Sequence, residues 1–315
     1  MNELWAITSY FNPSNYHTKA QNYRLFAEGI ARIGVPLLTI ECAFGDQPFT
    51  LAATRTICQV RTRDVLWLKE RLLNLAVKRL PVECTKVAWL DSDLIFENSE
   101  WPRRTLEVLD DVPVVQPFSQ VVRLPPGHRE YDGEGEQWES FCAQSSRNPA
   151  LVRAGNFHYH GHTGFAWAVR REILERHGLY DTCMTGSGDH LMAHAFCGDW
   201  ESGCIAKMLG SHGPYRDHFT SWARAVFEEV QGKIAFVEGR LLHLWHGDLE
   251  TRRYHENNLA FRRFEFDPRR DLRLAPNGCW EWQPDRQELR QWAKDFFPAR
   301  CEDGVAVPTV STPTA

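Results

Sequence analysis

The 315-residue sequence has no long hydrophobic run, no paired-cysteine motif and no large excess of charge of one sign. No stretch approaches the ~18 to 20 unbroken apolar residues of a membrane-spanning helix, so no integral membrane contact is expected. The N-terminus lacks a basic region followed by an apolar one, so a signal peptide is not expected either. The nine cysteines show no Cys-x-x-Cys spacing, which favours reduced thiols in a cytoplasmic protein over a disulfide framework. The net charge of −5 argues against a protein that wraps nucleic acid by bulk charge.

The composition is otherwise that of an ordinary globular protein, with 43% hydrophobic and 24% charged residues. A chain of this length forms one large domain or two small ones. Because the membrane, secreted-scaffold and histone-like classes are excluded, a soluble enzyme is the default expectation.

Strand and helix patterns alternate along the first part of the chain. Short apolar runs predict strands, and a helix is predicted from a capping box of Thr18 and Gln21 up to Gly34. Such alternation favours a mostly parallel sheet with helices on both faces, that is, an α/β protein. The predicted strands are 4–9, 35–40, 86–90 and 112–118, and the predicted helices are 18–33 and 65–80.

Residues 123–156 break this pattern with proline, glycine and charged residues. A segment this far above the ~12 to 15 residues of an idle loop indicates a lid, a binding loop or a disordered region. The last fifteen residues, rich in Pro, Thr, Val and Ser, predict a frayed tail. Between these segments the predicted strands are 157–169 and 234–245, and the predicted helices are 170–177, 189–196 and 219–230.

Two acidic residues follow the predicted strand 86–90. Side-chain alternation along a strand places the carboxylates of Asp91 and Asp93 on one side. Ligands of an open parallel sheet bind outside the carboxyl ends of its strands, and two carboxylates there repel each other unless a cation lies between them. Hard oxygen ligands suit Mg²⁺ or Mn²⁺, and such an ion suits a diphosphate. The alternative is a strand that ends in a solvated turn.

A glycine-rich region supplies a third carboxylate. Residues 161–169 read Gly-His-Thr-Gly-Phe-Ala-Trp-Ala-Val, and residues 186–189 read Gly-Ser-Gly-Asp. Glycines permit close approach of the backbone to a ligand. Asp189 stands at a predicted helix start, where a carboxylate is either a helix N-cap or a general base.

The order of these motifs resembles that of a known enzyme family. A strand ending in Asp-x-Asp, then a Gly-Phe-Ala strand, Gly-Leu-Tyr-Asp, Gly-Ser-Gly-Asp and a late histidine is similar to nucleotide-sugar-dependent glycosyltransferases of the A-type fold, in the galactosyltransferase and polypeptide N-acetylgalactosaminyltransferase branch. The resemblance covers roughly residues 4–255. It implies one Rossmann-like domain over 1–250, with halves 1–118 and 157–250 around a flexible loop 119–156, then an arginine-rich extension over 251–300 and a disordered tail over 301–315.

The resemblance also implies a divalent cation, Mn²⁺ or Mg²⁺, that holds the diphosphate of the donor. Asp91 and Asp93 would bind this ion, with Asp93 as the direct ligand. One late histidine would complete the metal shell. His246 is favoured over His243 because the following glycine allows a turn into the site.

Contacts to the donor and the acceptor follow from the same resemblance. Asp189 would accept the proton of the acceptor hydroxyl in an inverting reaction. The family's usual Gly-Gly-Glu-Asp or Gly-Gly-Glu-Asn reads Gly-Ser-Gly-Asp here, which leaves the base and the stereochemistry open. The expected donor contacts are Thr8, Ser9, Tyr10, Asn12, Lys69, Arg71, Asn74 and Ser92, and the expected pocket residues are His162, Thr163, Gly164, Phe165, Trp167, Gly188 and Trp245.

Two further groups of residues carry more than one interpretation. His158, His160 and His162 alternate along a predicted strand, and three imidazoles on one face resemble a zinc site, although acceptor contacts or surface exposure are favoured. Seven arginines between residues 252 and 273 could bind phosphate or an anionic acceptor such as nucleic acid. Acidic residues interleaved with them favour a helical face of ion pairs instead.

The expected protein is a metal-dependent glycosyltransferase of the hexosyl- or N-acetylhexosaminyltransferase type. It would transfer a sugar from a nucleotide-diphosphate donor, a UDP-sugar, to an acceptor hydroxyl on a glycan, lipid, protein or modified nucleobase. One alternative is a Mg²⁺-dependent phosphatase-type hydrolase with Asp91 as nucleophile and Asp93 as acid. A second alternative is a non-catalytic carbohydrate-binding protein of the same fold.

Overall fold

The strands predicted in the first part of the chain pair into one sheet. The computed structural model describes residues 3–153 and 159–304. Its strands are β1 (Leu4–Phe11), β2 (Leu37–Phe44), β3 (Ile57–Thr62), β4 (Lys86–Leu90), β5 (Leu94–Phe96), β6 (Val114–Gln116), β7 (Gln120–Arg123), β8 (Glu136–Glu139), β9 (Ala166–Arg170), β10 (Ile234–Phe236), β11 (Arg240–His243), β12 (Leu272–Leu274) and β13 (Trp280–Trp282). Its α-helices are α1 (His17–Ile33), α2 (Lys69–Val77), α3 (Trp101–Asp111), α4 (Phe141–Arg147), α5 (Pro149–Arg153), α6 (Arg171–His177), α7 (Gly188–Phe196), α8 (Gly203–Leu209), α9 (Pro214–Val230), α10 (Leu249–Arg252), α11 (Tyr254–Phe261), α12 (Pro268–Asp271) and α13 (Gln287–Phe296).

The central sheet has seven strands in the order β10-β6-β9-β4-β1-β2-β3. Only β9 runs antiparallel to its neighbours β4 and β6, so the sheet is mostly parallel. Successive side chains of β1 enter two different hydrophobic clusters, Ala6 one and Ile7 the other. Helices α1 and α3 contribute to the first cluster, and α2, α6, α7 and α9 to the second. Both faces of the sheet are therefore covered, and the predicted α/β class is confirmed.

A second, four-stranded sheet has the order β5-β11-β7-β8. The late strand predicted over 234–245 is wrong as a single element, because β10 lies in the central sheet and β11 in the small one. Gly239, with φ 151°, lies between them, and a Cβ there would collide with Asn98. Antiparallel pairing of β11 with β5 puts His243 opposite Leu94, immediately after Asp93.

The segment predicted as an irregular loop, 119–156, contains regular structure over its described part. Strands β7 and β8 pair with each other, and helices α4 and α5 follow. The Ser140 hydroxyl caps α4 by accepting a hydrogen bond from the Ala143 amide at 3.1 Å. Apolar periodicity did not predict these elements because the segment is rich in charged residues and glycine.

The C-terminal residues pack onto the main domain. Phe261, Phe296 and Phe297 belong to the same hydrophobic cluster as Ile7. The capping box predicted at the start of α1 does not form. Instead, the carboxylate of Asp303 accepts hydrogen bonds from the backbone amides at 17 and 18, at 2.9 and 2.8 Å. Residues 301–304, predicted as tail, are thus part of the fold, and 305–315 lie outside the described residues.

Two further observations concern the cysteines and the length of the helices. All nine cysteines are free thiols. Within the described ranges, no helix combines the length and the apolar character that crossing a bilayer requires.

Candidate active site

A cavity of about 790 Å³ opens beyond the carboxyl end of β4. Its wall is formed by the turn after β4, the ends of β1 and β11, the starts of α2 and α7, the loop before β9, and the C-terminal residues Arg300 and Glu302. The predicted site residues that line this cavity are Ser9, Lys69, Asp91, Ser92, Asp93, His162, Thr163, Gly164, Phe165, Asp189, His243, Trp245 and His246.

Asp93, His243 and His246, here called the Asp93 cluster, lie together on this wall. Asp93 Oδ2 is 3.1 Å from His246 Nε2 and 3.8 Å from His243 Nε2. Their ligand atoms lie within 4.8 Å of one another. The second carboxylate oxygen of Asp93, Oδ1, is buried and finds no hydrogen-bond partner in the described chain. One carboxylate and two imidazoles that converge in this way fit a divalent cation.

The pKa values of Asp93 and His243 are shifted in directions that favour metal binding. Burial raises the pKa of Asp93, but His246 and His243 outweigh burial and hold that pKa below its ordinary value. Burial also holds the pKa of His243 well below its ordinary value. Asp93 is therefore ionised and His243 neutral near pH 7, and these are the protonation states of metal ligands.

Asp91 does not join Asp93, in contrast to the sequence prediction. Strand β4 ends at Leu90, and the chain then turns, so the alternation of side chains along a strand no longer holds. Asp91 Oδ1 instead lies 2.5 Å from Lys69 Nζ, which also lies 2.5 Å from Asp189 Oδ2. Lys69 thus joins Asp91, expected as a metal ligand, to Asp189, expected as the base.

The Lys69 ammonium contacts two carboxylates, Asp91 and Asp189, and interacts electrostatically with a third, Glu70. We call Lys69, Glu70, Asp91 and Asp189 the Lys69 cluster. Burial raises the pKa of Glu70 to about 8 and that of Asp91 to about 6. Burial alone would lower the pKa of Lys69, but the Asp189 and Asp91 carboxylates raise it well above its ordinary value. Gly188, expected in the pocket, packs against Glu70, and a Cβ at Gly188 would collide with the Glu70 carboxyl. The role of Gly188 is therefore close packing and not ligand contact.

Three predicted donor contacts in the first loop do not reach the cavity. The Thr8 hydroxyl is buried and donates to the Leu90 carbonyl at 2.7 Å. Tyr10 is buried in the core, since β1 extends through Phe11. The Asn12 side chain bonds the backbone of Tyr16, which fixes the turn before α1.

Three more predicted residues have structural partners away from the cavity. Arg71 and Asn74, on the face of α2 turned away from Lys69, both bond Asp181 Oδ2 at 3.0 Å. Trp167 is buried and stacks on Trp89 at 6.2 Å between ring centroids. Helical and strand spacing indicates neighbours along an element, but not which face a ligand occupies.

The predicted histidine trio does not form a common face. His158 lies outside the described residues. His160 and His162 belong to a loop, because β9 begins only at Ala166. His162 stacks on Phe165 at 4.0 Å, whereas His160 packs against His190 at 5.0 Å. Phe165 has φ 82°, a strained backbone for a residue with a side chain, and such strain is frequent at functional sites.

Several cationic side chains of the cavity wall were not predicted from the sequence. Lys19, Arg123 and Arg300 line it together with Lys69, Lys207 and Arg252, so six cationic side chains face six acidic ones. Arg252 was noted only within the arginine-rich stretch, where most of its neighbours do not line the cavity, as in the pair Arg273–Glu281 at 2.8 Å. Nothing in the spacing of Lys19 or Arg300 distinguishes them from ordinary surface charges.

No protein-family model matches this sequence, and no curated protein is significantly similar to it. Similar solved structures include the catalytic domain of Drosophila beta1,4-galactosyltransferase 7 in complex with xylobiose, at 12% identity and TM-score 0.31, covering 75% of this chain and 65% of that one. Glucosyl-3-phosphoglycerate synthase from Mycobacterium tuberculosis, in complex with Mg²⁺ and uridine-diphosphate, matches at 12% identity and TM-score 0.39, covering 89% and 87%. Mannosyl-3-phosphoglycerate synthase from Rubrobacter xylanophilus matches at 11% identity and TM-score 0.40, covering 89% and 83%.

The chain spans slightly less than two thirds of the galactosyltransferase structure. A galactosyltransferase is thus among the solved structures to which this chain is similar. At these identities and TM-scores, a function has to follow from the residues of the chain itself.

Proposed function

We propose that this protein is a metal-dependent glycosyltransferase that moves a sugar from a nucleotide-diphosphate donor, a UDP-sugar, to an acceptor hydroxyl. The observation that carries the proposal is the Asp93 cluster, set in a cavity wall with six cationic side chains. A diphosphate is the common ligand that needs both a divalent cation and surrounding cations. A cavity of about 790 Å³ lies within the ~300–1,000 Å³ of ligand pockets.

Asp93, His243 and His246 would hold the cation. Imidazole and carboxylate together suit Mn²⁺ better than Mg²⁺, which prefers oxygen ligands alone. When bound, the ion would stabilise the negative charge that develops on the departing diphosphate. Arg123 and Arg252, on the same wall, would bind phosphate oxygens through their planar guanidinium groups.

Asp189 would act as the base of an inverting displacement. The acceptor oxygen forms its bond to the anomeric carbon as the bond from that carbon to the diphosphate breaks, and the acceptor proton goes to Asp189. Lys69 Nζ, 2.5 Å from Asp189 Oδ2, and Trp89 Nε1, 3.4 Å from Asp189 Oδ1, orient the Asp189 carboxylate. Asp91, on the other side of Lys69, holds the ammonium in place.

The separation of Asp91 from Asp93 disfavours the hydrolase alternative. A phosphatase-type mechanism needs both carboxylates at one phosphorus atom, as nucleophile and acid. Here Asp91 pairs with Lys69, whereas Asp93 faces two histidines. No observation favours that reaction over sugar transfer.

The test is an assay of nucleoside-diphosphate release from a panel of nucleotide sugars, with Mn²⁺ and with candidate acceptors. Asp189→Asn should lower kcat by about 10²-fold or more, because general-base catalysis supplies about 10²–10⁴. The affinity for the donor, measured by titration calorimetry, should be unchanged. Asp181→Asn is the matched control, since Asp181 is also paired with a cation on α2 but lies off the cavity wall.

Three results would contradict the proposal. Wild-type kcat in Asp189→Asn would exclude Asp189 as the base. Release of inorganic phosphate from phosphomonoesters, without any reaction of nucleotide sugars, would support the hydrolase. Donor binding without diphosphate release would support the non-catalytic carbohydrate-binding protein.

A further inference from the structure

A second group of metal-ligating side chains shares no residue with the Asp93 cluster. His160, His190, His194 and Cys204, here called the His194 cluster, place their ligand atoms within 4.8 Å of one another. His194 and Cys204 are 0% exposed, and His160 and His190 are 3% and 6% exposed. Four ligand side chains therefore converge from a buried position.

Three separate segments supply these ligands. His190 and His194 are one turn apart on α7, so they share a face of the helix, with ring centroids 4.6 Å apart. Cys204 lies in the first turn of α8, where Ser202 is the N-cap residue. His160 comes from the loop before β9, with its ring 5.3 Å from that of His194.

Contacts outside the cluster fix the orientation of two of the imidazoles. His194 Nδ1 lies 2.8 Å from Asp199 Oδ2, and His160 Nδ1 lies 2.7 Å from the Gly161 carbonyl oxygen. Both acceptors require a proton on Nδ1, which leaves the lone pair on Nε2. A carboxylate or carbonyl that holds the far nitrogen is the usual outer partner of a metal-bound histidine.

His194 Nε2 supplies an independent argument. This nitrogen is buried and makes no hydrogen bond to any described part of the chain. Its ring is wholly enclosed, so water does not solvate the lone pair. A buried polar atom without a partner is costly, and a cation bound to the lone pair removes that cost.

We propose that His160, His190, His194 and Cys204 bind one Zn²⁺ ion as a structural site. Three imidazoles and a thiolate match the nitrogen and sulfur ligands of tetrahedral zinc. Four protein ligands leave no open coordination position, which is the mark of a structural site and not a catalytic one. The Cys204 thiolate and the Asp199 carboxylate together balance the two positive charges of the ion.

The proposed ion would tie the cavity wall to the helices behind it. His190 directly follows Asp189, and both His190 and His160 themselves line the cavity, whereas His194 and Cys204 do not. An ion at this point joins that loop to α7 and to the first turn of α8. The site is independent of the glycosyltransferase proposal, because a structural zinc supports any function of the cavity.

The test uses the full-length chain and two measurements. Elemental analysis of protein purified from zinc-supplemented cells, after washing with a weak chelator, should give one equivalent of zinc. Replacement of the zinc by Co²⁺ should produce the visible bands of tetrahedral cobalt and a thiolate-to-cobalt charge-transfer band. The Asp93 cluster contains no sulfur, so Co²⁺ bound there cannot produce the charge-transfer band.

Variants locate the site. Cys204→Ser should abolish the charge-transfer band, whereas Cys84→Ser, which alters a similarly buried thiol that is not part of the cluster, should keep it. Asp93→Asn should also keep it. Asp199→Asn should keep the band but weaken zinc affinity by about 10–100-fold, because Asp199 holds His194 from the outer side and is not itself a ligand.

The proposal is overturned if Co²⁺-substituted wild-type protein has no thiolate band, or if the band persists in Cys204→Ser. The wild-type spectrum decides the matter even if Cys204→Ser fails to fold. Unchanged zinc affinity in Asp199→Asn would overturn the positioning role of Asp199. Failure of the glycosyltransferase assay would leave the spectrum unaffected, so the two proposals fail separately.

Discussion

The Asp93 cluster and the His194 cluster both gather histidines near one cavity, but they are built for different purposes. The Asp93 cluster has three ligand residues on the cavity wall, among cations that attract an anionic ligand. The His194 cluster has four ligand residues, two of them wholly enclosed, and its outer partners are Asp199 and a backbone carbonyl. The number of protein ligands and the access to solvent, and not the presence of histidine, distinguish a site for chemistry from a site for stability.

The largest expected effect comes from exchanging one ligand in each cluster. Asp93→Asn should lower kcat/KM for the donor by about 10³-fold, because the variant loses the only anionic ligand of its cluster. Cys204→Ser should instead lower Tm by more than about 5 °C, because binding of a structural metal contributes to folding free energy. Kinetics and calorimetry on both variants measure the contrast.

The contrast fails if the two variants behave alike. Asp46→Asn, an exposed carboxylate in a turn, controls for the change of charge. A larger fall of Tm in Asp93→Asn than in Cys204→Ser would reverse the assignments of the two clusters.

The sequence predicts the strands and helices that carry the two clusters better than it predicts which residues form each cluster. Strand 86–90 and the end of α1 at Gly34 are confirmed, because apolar periodicity and a left-handed glycine are local signals. His190 and His194 also carry a local signal, the spacing of one helical turn, which was not used. His160 and Cys204 join them only through packing of a loop and a second helix, and no local pattern encodes that contact.

The same limit explains the errors at the cavity. Asp91 and Asp93 were expected to share a face because a strand was assumed to continue past Leu90, but the chain turns there. Asp303 caps α1 from 286 and 285 residues away in the sequence. This long-range interaction takes the place of the predicted capping box, and the residues around Thr18 give no indication of it.

A chelator should remove the metal ions of the two clusters at different rates. A strong chelator should abolish nucleoside-diphosphate release within the mixing time, because the Asp93 cluster borders the cavity. Zinc content and Tm should persist far longer, because four protein ligands would hold the zinc and two of them, His194 and Cys204, are 0% exposed. Parallel time courses of activity and of protein-bound zinc provide the measurement, and Mn²⁺ should restore the activity. Simultaneous loss of zinc and activity would contradict the distinction.

A smaller effect is expected from the cationic side chains that line the cavity near the Asp93 cluster. Arg252→Ala should raise the KM for the donor by about 10-fold or more, because a hydrogen bond to a charged group contributes about 1.5–3 kcal/mol. Arg252 also donates a hydrogen bond to the His246 carbonyl oxygen at 2.8 Å and so helps to position a proposed metal ligand; kcat should therefore fall as well. Arg273→Ala is the control, since that arginine pairs with Glu281 outside the cavity wall. Equal KM values in the two variants would remove Arg252 from the donor site.

The smallest expected effect concerns the Lys69 cluster. It contains three carboxyl groups but only one ammonium group. The folded pKa of Glu70, about 8, is above the ordinary value of 4.5, so the native state binds more protons than the unfolded one between those pH values. Stability should therefore fall as pH rises through that window, because Glu70 ionises in the unfolded state but keeps its proton in the folded state, where burial and the Asp189 and Asp91 carboxylates oppose its ionisation. Glu70→Gln removes this loss, so its Tm should exceed that of wild type above about pH 8 and match it below about pH 4.5.

Thermal unfolding across this pH range measures the effect, with the exposed Glu28→Gln on α1 as the matched control. The glutamine can still accept the hydrogen bond that Trp67 Nε1 donates to Glu70 at 3.2 Å, so packing is preserved. If wild type and Glu70→Gln lose stability equally as pH rises, the surplus proton belongs to Asp91, whose pKa of about 6 is the next highest in the cluster. Asp91 borders the cavity, so that result would move the proton from the core to the wall where the donor is proposed to bind.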